Sequence, residues 1–242
     1  MLSHTTAVAM RVLRQLSRDR RFVVLSLAVP LVIIYMLWIF LDAAERPIFD
    51  AERLVVALAA FIVHFLTYIL TAIVLVRERT AHTLERMFVS GYRRSSIITG
   101  YVLAYSVLAT VQSLLILIEL KVLFDLSYQL TTFMLIYGVI WLLAVISIAL
   151  GILVSNFARN EGQVFPFIPL VTFPGIFFSG IILPVADLPG WSQPLRFVTP
   201  LYFANEVIQS LIADGNGNLI VGLILYGAVV LTLAITTLKE RD

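Results

Sequence analysis

Residues 77–96 read RERTAHTLERMFVSGYRRSS and form a charged island between two long apolar runs, residues 54–76 and 97–118. The island has five arginines and two glutamates, a net charge of +3. The two flanking runs contain no Asp, Glu, Lys or Arg, and His64 is their one histidine. Short basic loops between membrane spans stay on the cytoplasmic side. The island is therefore predicted to face the cytoplasm, and it is long enough to present a short helix to a partner.

Further apolar runs follow along the chain at lengths that suit a lipid bilayer. The 242 residues are 60% hydrophobic and 13% charged, whereas soluble domains are about 45–50% apolar and about 25% charged. A membrane-spanning helix needs about 20 mostly apolar residues. The predicted fold is an all-α polytopic membrane protein, one transmembrane domain over residues 1–242 with six spans. The predicted spans are residues 22–41, 54–76, 97–118, 130–154, 164–183 and 219–238.

The basic residues are unevenly distributed between the two sides of this arrangement. With both chain ends inside, the inner segments hold 13 of the 17 lysines and arginines. Such an excess is typical of cytoplasmic segments, so both termini are predicted to face the cytoplasm. We accordingly expect a multi-pass protein of the cell (plasma) membrane of a prokaryote. The basic charge belongs to membrane boundaries, and no nucleic-acid partner is expected.

The N-terminal arm, residues 1–21, has the pattern of an amphipathic helix. Its apolar residues recur at helical spacing, and its arginines share another face. These residues are Ala9, Val12, Leu13 and Leu16 on the apolar side and Arg11, Arg14 and Arg18 on the basic side. The pattern favours an interfacial helix in the inner headgroup layer. The alternative is that the arginines serve only as a topology signal.

The chain lacks the residues that most catalytic sites need. Its two lysines, Lys121 and Lys239, do not follow a glycine, so there is no phosphate-binding loop of the G-x-x-x-x-G-K-[ST] type. The three histidines are not spaced as metal ligands, and there is no cysteine. We therefore expect no enzymatic activity, and no cofactor or metal, in this chain itself.

Two groups of short motifs give the chain a family resemblance. Near the island, Arg77-Glu78-Arg79 and Thr83-Leu84-Glu85 match an Arg-Glu-x-Gly-Thr-Leu-Glu pattern, and near the C-terminus a Ser-Gly-x-x-x-Pro, Leu-Pro-x-Trp and Pro-x-Tyr series recurs. With six spans, this resembles the membrane subunit of type-2 ABC exporters. Two departures stand at the turns of the island: Ala81-His82 replaces the usual glycine, and Ser90-Gly91 stands where Thr-Pro is common.

The resemblance implies a role for the island and for a second segment. In that family, the equivalent of residues 77–96 forms a coupling helix that sits in a groove of the ATP-binding subunit, and the equivalent of residues 184–210 forms a re-entrant cap on the outer side. The dense prolines of the latter exclude a plain helix. Carried over by motif, Leu84, Met87 and Phe88 would be the apolar contacts, and Glu78, Glu85 and Arg86 would set the register by charge.

A polar stripe in the second span is a candidate for the substrate pathway. His64, Thr67, Tyr68 and Thr71 are spaced i, i+3, i+4 and i+7, which places them on one helical face. One hypothesis is that this face lines the path, with phenylalanines of the fifth span nearby, among them Phe173 and Phe177. The alternative is that the stripe bonds to a neighbouring helix and serves as packing glue.

The expected function is that of a permease subunit of an ATP-driven exporter that moves an amphipathic or apolar substrate. The resemblance implies two ATP-binding cassette subunits, with ATP and Mg on those partners, and a second membrane subunit that completes a homodimer or heterodimer. The alternative is a secondary transporter or channel driven by an ion gradient. Such a protein is expected to place carboxylates inside its spans, and the six predicted spans contain none.

Overall fold

The computed structural model describes residues 2–43, 51–213 and 219–238, and every regular element in those ranges is helical. Helices of fewer than seven residues are 3-10 turns, and the others are α-helices. The α-helices are α1 Leu2–Arg18, α2 Arg20–Ala43, α3 Ala51–Thr80, α4 Thr83–Val89, α5 Arg94–Phe124, α6 Leu130–Ser155, α7 Phe167–Phe178, α8 Pro200–Ile212 and α9 Ile220–Thr237, and the 3-10 turns are Glu161–Val164, Val185–Asp187 and Gln193–Val198.

Six helical segments are long and apolar enough to cross a membrane, which confirms the predicted number of spans. They are α2, α3, α5, α6, α9 and Glu161–Phe178, the last comprising a 3-10 turn and α7. Two spans are longer than predicted at the island, because α3 continues to Thr80 and α5 begins at Arg94. The island is thus divided between the ends of two spans, with only the short α4 and its two turns between them.

The fifth span differs from the continuous helix predicted over residues 164–183. The α-helical part, α7, has 12 residues, a length of about 18 Å against a hydrocarbon core of about 30 Å. Pro166 precedes its first residue, and Gly180, with φ of 82°, turns the chain just after its last. The segment is apolar as predicted, but its α-helix is short and the chain turns at Gly180.

The α3–α6 pair forms the centre of the bundle. A Cβ atom placed on Gly151 of α6 would lie only 2.6 Å from the carbonyl oxygen of Tyr68 on α3. Glycine allows this approach because it has no side chain to hold the two backbones apart. Helices α5, α8 and α9 pack around α6, whereas α2 buries only a few side chains and stands at the edge.

Helix α1 uses its apolar stripe to pack on protein. Val8, Val12 and Leu16 are buried, and α1 crosses α5 so closely that a Cβ on Gly100 would lie 2.7 Å from the Val8 side chain. Residues of the arm thus form a helix with one apolar side, as predicted. That side packs on the start of α5, however, and not on lipid. The position of α1 relative to the headgroup layer stays a prediction.

Residues 184–210 fold back onto the bundle instead of forming an extended loop. Two 3-10 turns lead into α8, whose first residue Pro200 follows the capping side chain of Thr199. The buried side of α8 packs on α3, α6 and α9, and Asn205 Nδ2 donates a hydrogen bond to the Ser179 carbonyl at 3.0 Å. The side of the membrane on which this segment lies stays a prediction.

Candidate functional site

Helix α4 is held between two tight turns, and these are the points where the island departs from its expected pattern. His82 precedes α4 in the left-handed region, with φ of 55°. Gly91 follows α4 with φ of 81°, its N–H bonds to the Phe88 carbonyl at 2.8 Å, and the Tyr92 N–H bonds to the Met87 carbonyl at 3.1 Å. This is the Schellman ending of a helix, in which glycine suits the left-handed position. Both turns are thus formed despite the unusual residues.

His82 occupies a conformation that glycine adopts more easily, which leads to a stability prediction. A left-handed backbone costs a residue with a Cβ atom about 1 kcal/mol, and the exposed contact of His82 Nδ1 with Glu85 Oε2 at 2.6 Å offsets part of it. We expect His82→Gly to be at least as stable as the wild type and His82→Ala to be less stable than His82→Gly by about 1 kcal/mol. Denaturant unfolding in detergent measures the difference. A His82→Ala protein more stable than His82→Gly contradicts this account of the turn.

The inner face of α4 is already occupied by the chain itself. Leu84 is 3% exposed and Met87 is 9% exposed, and both belong to the main apolar core together with Val8 and Val12 of α1. Leu84 and Met87 are therefore buried in this chain and do not form an exposed apolar face. Their part in coupling to a partner stays a prediction. Their cover comes from the same chain: α4 packs on the end of α3, and Arg11 of α1 contacts Met87 Sδ at 3.6 Å.

The outer face of α4 presents a different set of side chains. Val89 is 90% exposed, Arg86 is exposed and Glu85 is partly exposed. Phe88 is half-buried against the core. Val89 and the accessible edge of Phe88 therefore form the apolar part of this outer face, with Glu85 and Arg86 as its charged part. Of the six residues predicted for coupling, Glu85, Arg86 and Phe88 keep access to a partner.

Glu78 lies behind α4 in a buried polar network that joins four helices. It is 5% exposed, and Arg11 of α1 forms an ion pair with its Oε2 atom. Gln15 donates to Glu78 Oε1 at 2.7 Å, and the Tyr101 hydroxyl of α5 donates to Oε2 at 3.1 Å. Arg11 also contacts Met87 Sδ of α4 at 3.6 Å. The carboxylate is thus satisfied within the chain, which leaves it no role as an exposed register charge.

The charge of Arg11 is secured by these surroundings. Partial burial alone lowers the pKa of the guanidinium, but the neighbouring Tyr101 and the paired Glu78 outweigh it, so that the pKa of Arg11 lies above its ordinary value. Arg11 and Gln15 were not predicted as site residues, since they lie more than sixty positions from Glu78 in the sequence.

A second polar junction fastens the end of α3 to α6 and α9. Arg79 donates to the Ser155 carbonyl and, at 2.9 Å, to Asn156 Oδ1 at the end of α6. Asn156 Nδ2 in turn donates to the Ala234 carbonyl and to Thr237 Oγ1 of α9, both at 2.9 Å. The ends of α6 and α9 therefore meet the island at Arg79, whereas α1 and α5 meet it at Glu78.

The polar stripe of α3 is buried inside the chain. His64 Nδ1 lies 2.7 Å from Ser147 Oγ of α6, and Thr67 Oγ1 donates to Gln112 Oε1 of α5 at 3.4 Å. The Tyr68 hydroxyl donates to the Phe167 carbonyl at 3.0 Å, and Thr71 bonds to the backbone of its own helix. These contacts match the alternative that the stripe joins neighbouring helices. A small cavity next to Thr67 and Thr71 has a volume of about 10 Å³, which is room for about one water molecule.

The two phenylalanines predicted for the same pathway lie elsewhere. Phe173 is 59% exposed and Phe177 is 54% exposed on the outer surface of α7, with their ring centroids 6.4 Å apart in an edge-to-face arrangement. The structure therefore does not bring Phe173 and Phe177 together with His64 and Thr67. Their place in a substrate pathway stays a prediction.

Comparisons with known proteins agree with the six apolar helices of membrane-spanning length. The family described as "ABC-2 type transporter" matches residues 3–213. The probable multidrug ABC transporter permease YbhR of Escherichia coli K12 is 27% identical over 182 residues, which cover 72% of this chain and 48% of YbhR. The probable multidrug ABC transporter permease YbhS of the same strain is 22% identical over 177 residues, covering 72% and 47% of the two chains.

A eukaryotic relative extends the comparison. The ABC transporter G family member 20 of Dictyostelium discoideum is 26% identical over 148 residues, which cover 61% of this chain and 20% of that protein. The chain spans about half the length of the two bacterial permeases. Together with the six apolar helices, these similarities identify a multi-pass membrane protein and a component of an ABC transporter.

Proposed function

Because the chain belongs to the ABC-2 type transporter family, we propose that it is the permease subunit of an ATP-driven exporter. ATP and Mg are bound and used by two copies of a separate ATP-binding cassette subunit. A second membrane subunit, identical or related, completes the transporter. The cell membrane is the site of action, and the substrate is carried outward across the bilayer.

The observation that carries the proposal is the attachment, on both sides, of the end of α3 from which α4 continues. Glu78 ties the end of α3 to α1 and α5 through Arg11 and Tyr101, and Arg79 ties it to α6 and α9 through Asn156. Because α4 follows α3 after one tight turn and packs on it, a force applied to α4 would reach α3 and, through these contacts, four further helices. A loop that only set the topology of the chain would need none of them.

The coupling surface follows from what these attachments leave exposed. The ATP-binding subunit contacts Val89, Arg86 and Glu85 and the accessible edge of Phe88, while Leu84 and Met87 are buried in the core of the chain. When two ATP-binding subunits close, α4 moves and carries the end of α3 with it. The bundle then changes from one access state to the other, as linked packed elements do in other switching proteins.

The proposed substrate is an amphipathic or apolar compound. Two relatives are described as probable multidrug permeases, and the exposed Phe173 and Phe177 on α7 offer an apolar aromatic surface. A substrate can also reach the His64–Thr71 face if α3 and α6 separate during the cycle. The rings on α7 are accessible without such a movement, so we place the first contact there.

An ion-gradient mechanism receives no support from the charges. Among the residues that the structure describes, Glu78 is buried and paired with Arg11 where α3 ends, and the partly buried Glu119 lies five residues from the end of α5. Carboxylates that carry ions are expected deeper within a span.

The coupling surface is tested by replacing exposed residues only. The test uses cells that also express the ATP-binding cassette subunit. We expect Arg86→Glu combined with Val89→Asp to reduce both the co-purification of that subunit and the stimulation of its ATPase activity by at least about tenfold. The reason is that an interface loses most of its affinity when a central contact is changed. Pull-down and ATPase assays in nanodiscs measure both effects.

The matched control is Val122→Asp, which charges another exposed valine, 74% exposed, near the far end of α5. This variant is expected to assemble as the wild type does. If the α4 variant keeps normal assembly and normal ATPase stimulation, the assignment of α4 as the coupling helix is wrong.

A further inference from the structure

The junction between α1 and α2 carries an unusual density of exposed positive charge. Arg14 and Arg18 lie one turn apart on the exposed side of α1, and Arg20 and Arg21 begin α2, the first membrane-spanning helix. All four side chains are exposed. The patch therefore lies where the chain passes from the end of the bundle into the bilayer.

The four arginines are not neutralised by the part of the chain that the structure describes. The ion pairs there involve Arg11, Arg77 and His82, and none involves the four. Asp19, which lies among them, accepts a hydrogen bond from the Phe22 N–H at 3.0 Å and caps the start of α2. The patch thus keeps a net positive charge that the fold does not use.

An open, shallow groove runs along this side of α1. Its lining residues come from the exposed face of α1 itself and from Asp19, which follows that helix. One part is apolar, with Met10 52% exposed, and the other is basic. The lining residues are Ala7, Met10, Arg11, Arg14, Gln15, Arg18 and Asp19.

We propose that this groove binds the phosphate headgroup of an anionic phospholipid. Guanidinium groups one helical turn apart can each donate paired hydrogen bonds to phosphate oxygens, and clustered arginines next to a membrane span attract anionic lipid. Met10 and Ala7 lie beside the basic part of the groove and contact the glycerol and upper acyl carbons. The Asp19 carboxylate, occupied by its cap, stays at the rim.

A lipid suits the groove better than an acidic protein surface. The groove ends at Asp19, one residue before the first residue of α2, a helix long and apolar enough to cross a membrane, and this position favours the headgroups of the adjacent leaflet as its occupant. The apolar Met10 also matches a ligand with both phosphate and hydrocarbon. A bound lipid would restrain α1, the helix whose Arg11 is paired with Glu78. The inference requires only a membrane protein and does not depend on the proposed transport function.

The test compares lipid binding by two double variants of the full chain. Purified protein in detergent is titrated with phosphatidylglycerol or phosphatidylcholine, and retained lipid is counted by native mass spectrometry. The wild type is expected to prefer phosphatidylglycerol, and Arg14→Gln with Arg18→Gln is expected to lose about tenfold of that preference. Arg20 and Arg21 remain in this variant to maintain the topology.

The matched control is Arg93→Gln with Arg94→Gln, which removes the same charge from two exposed arginines at the start of α5. It is expected to keep the preference within twofold. An equal loss in both variants, or a wild type without preference, overturns the proposal. Glycerol phosphate separates the two sources of phosphate: if it competes as well as the lipid does, the groove binds free phosphate and the lipid assignment fails.

A second measurement places the lipid in the groove. The chain has no cysteine, so Met10→Cys provides a unique thiol for maleimide labelling. Labelling in phosphatidylglycerol nanodiscs is expected to be at least about threefold slower than in phosphatidylcholine nanodiscs, and the difference should vanish when Arg14 and Arg18 are glutamines. Unchanged labelling contradicts the site. If the glutamine variant instead loses only an associated protein, the groove is a protein contact and the proposal is overturned.

Discussion

Alanine at Gly151 is expected to lower the free energy of unfolding by about 2 kcal/mol, since over-packing a close contact costs about 1–3 kcal/mol. The added Cβ would lie 2.6 Å from the Tyr68 carbonyl oxygen, 2.9 Å from Thr71 Cβ and 3.0 Å from the Ala72 nitrogen. Two of these three atoms belong to the backbone of α3, so no side chain can turn away to make room. Leucine at the same position is expected to prevent the α3–α6 contact and with it stable folding.

The same substitution elsewhere in α6 supplies the control. A Cβ on Gly138 would meet no atom within 4 Å, so Gly138→Ala tests the gain in helix propensity without the clash. Unfolding in mixed micelles, followed by circular dichroism, compares the two variants. We expect Gly138→Ala to be as stable as the wild type or slightly more stable. Equal stability of both variants would show that α3 can move away from α6 at little cost.

Features that depend on composition along a single segment were predictable from the sequence. Twenty apolar residues demand a span wherever they occur, so the number of spans and the place of the island between two of them followed directly. The fifth span shows where this reasoning ends. Hydropathy counts residues 164–183 as one run, but the α-helix within it has only 12 residues and the chain turns at Gly180 just after it. Composition alone does not resolve such bends.

The faces of α4 could not be predicted, because they depend on a helix far away in the chain. Apolar residues amid charge indicate that something covers them, and the sequence does not say whether that cover is a partner or the same chain. Leu84 and Met87 join the main apolar core of the same chain, and Arg11 of α1 lies 3.6 Å from Met87 Sδ. Val89, the apolar residue of α4 that remains exposed, was not among the six residues predicted for coupling.

The buried stripe of α3 illustrates the same limit. Its period identified one polar face, and polar atoms buried in a membrane bundle need hydrogen-bond partners. The partners of His64 and Thr67 are Ser147 and Gln112, which lie 83 and 45 positions away. Period alone cannot distinguish a face that meets other helices from one that meets a substrate.

Glu78→Gln is expected to lower the free energy of unfolding more than the same substitution at the exposed Glu161. Loss of the carboxylate leaves Arg11 partly buried, at 37% side-chain exposure, beside a neutral amide and the Tyr101 hydroxyl. Breaking a fully buried pair costs about 3–5 kcal/mol, and the partial exposure of Arg11 reduces this to about 2 kcal/mol. Unfolding of the purified chain in mixed micelles measures the loss.

The neighbouring pair provides the control for position and charge. Arg77 Nε lies 3.2 Å from Glu161 Oε1, with side chains 62% and 47% exposed, and exposed pairs contribute about 0–1 kcal/mol. Glu161→Gln is therefore expected to change the stability little. Equal effects of Glu78→Gln and Glu161→Gln would mean that burial adds nothing to the Arg11–Glu78 pair.

A double-mutant cycle separates the pair from general damage to the site. Arg11→Met and Glu78→Gln together are expected to be less destabilising than the sum of the two single variants, because the double variant leaves no unpaired charge behind. If α4 passes its movement to α1 through this pair, the double variant folds but loses the stimulation of the ATP-binding subunit, whereas Glu161→Gln keeps it. A folded double variant with full stimulation would instead place the transmission on the Arg79–Asn156 side, where α3 meets α6 and α9.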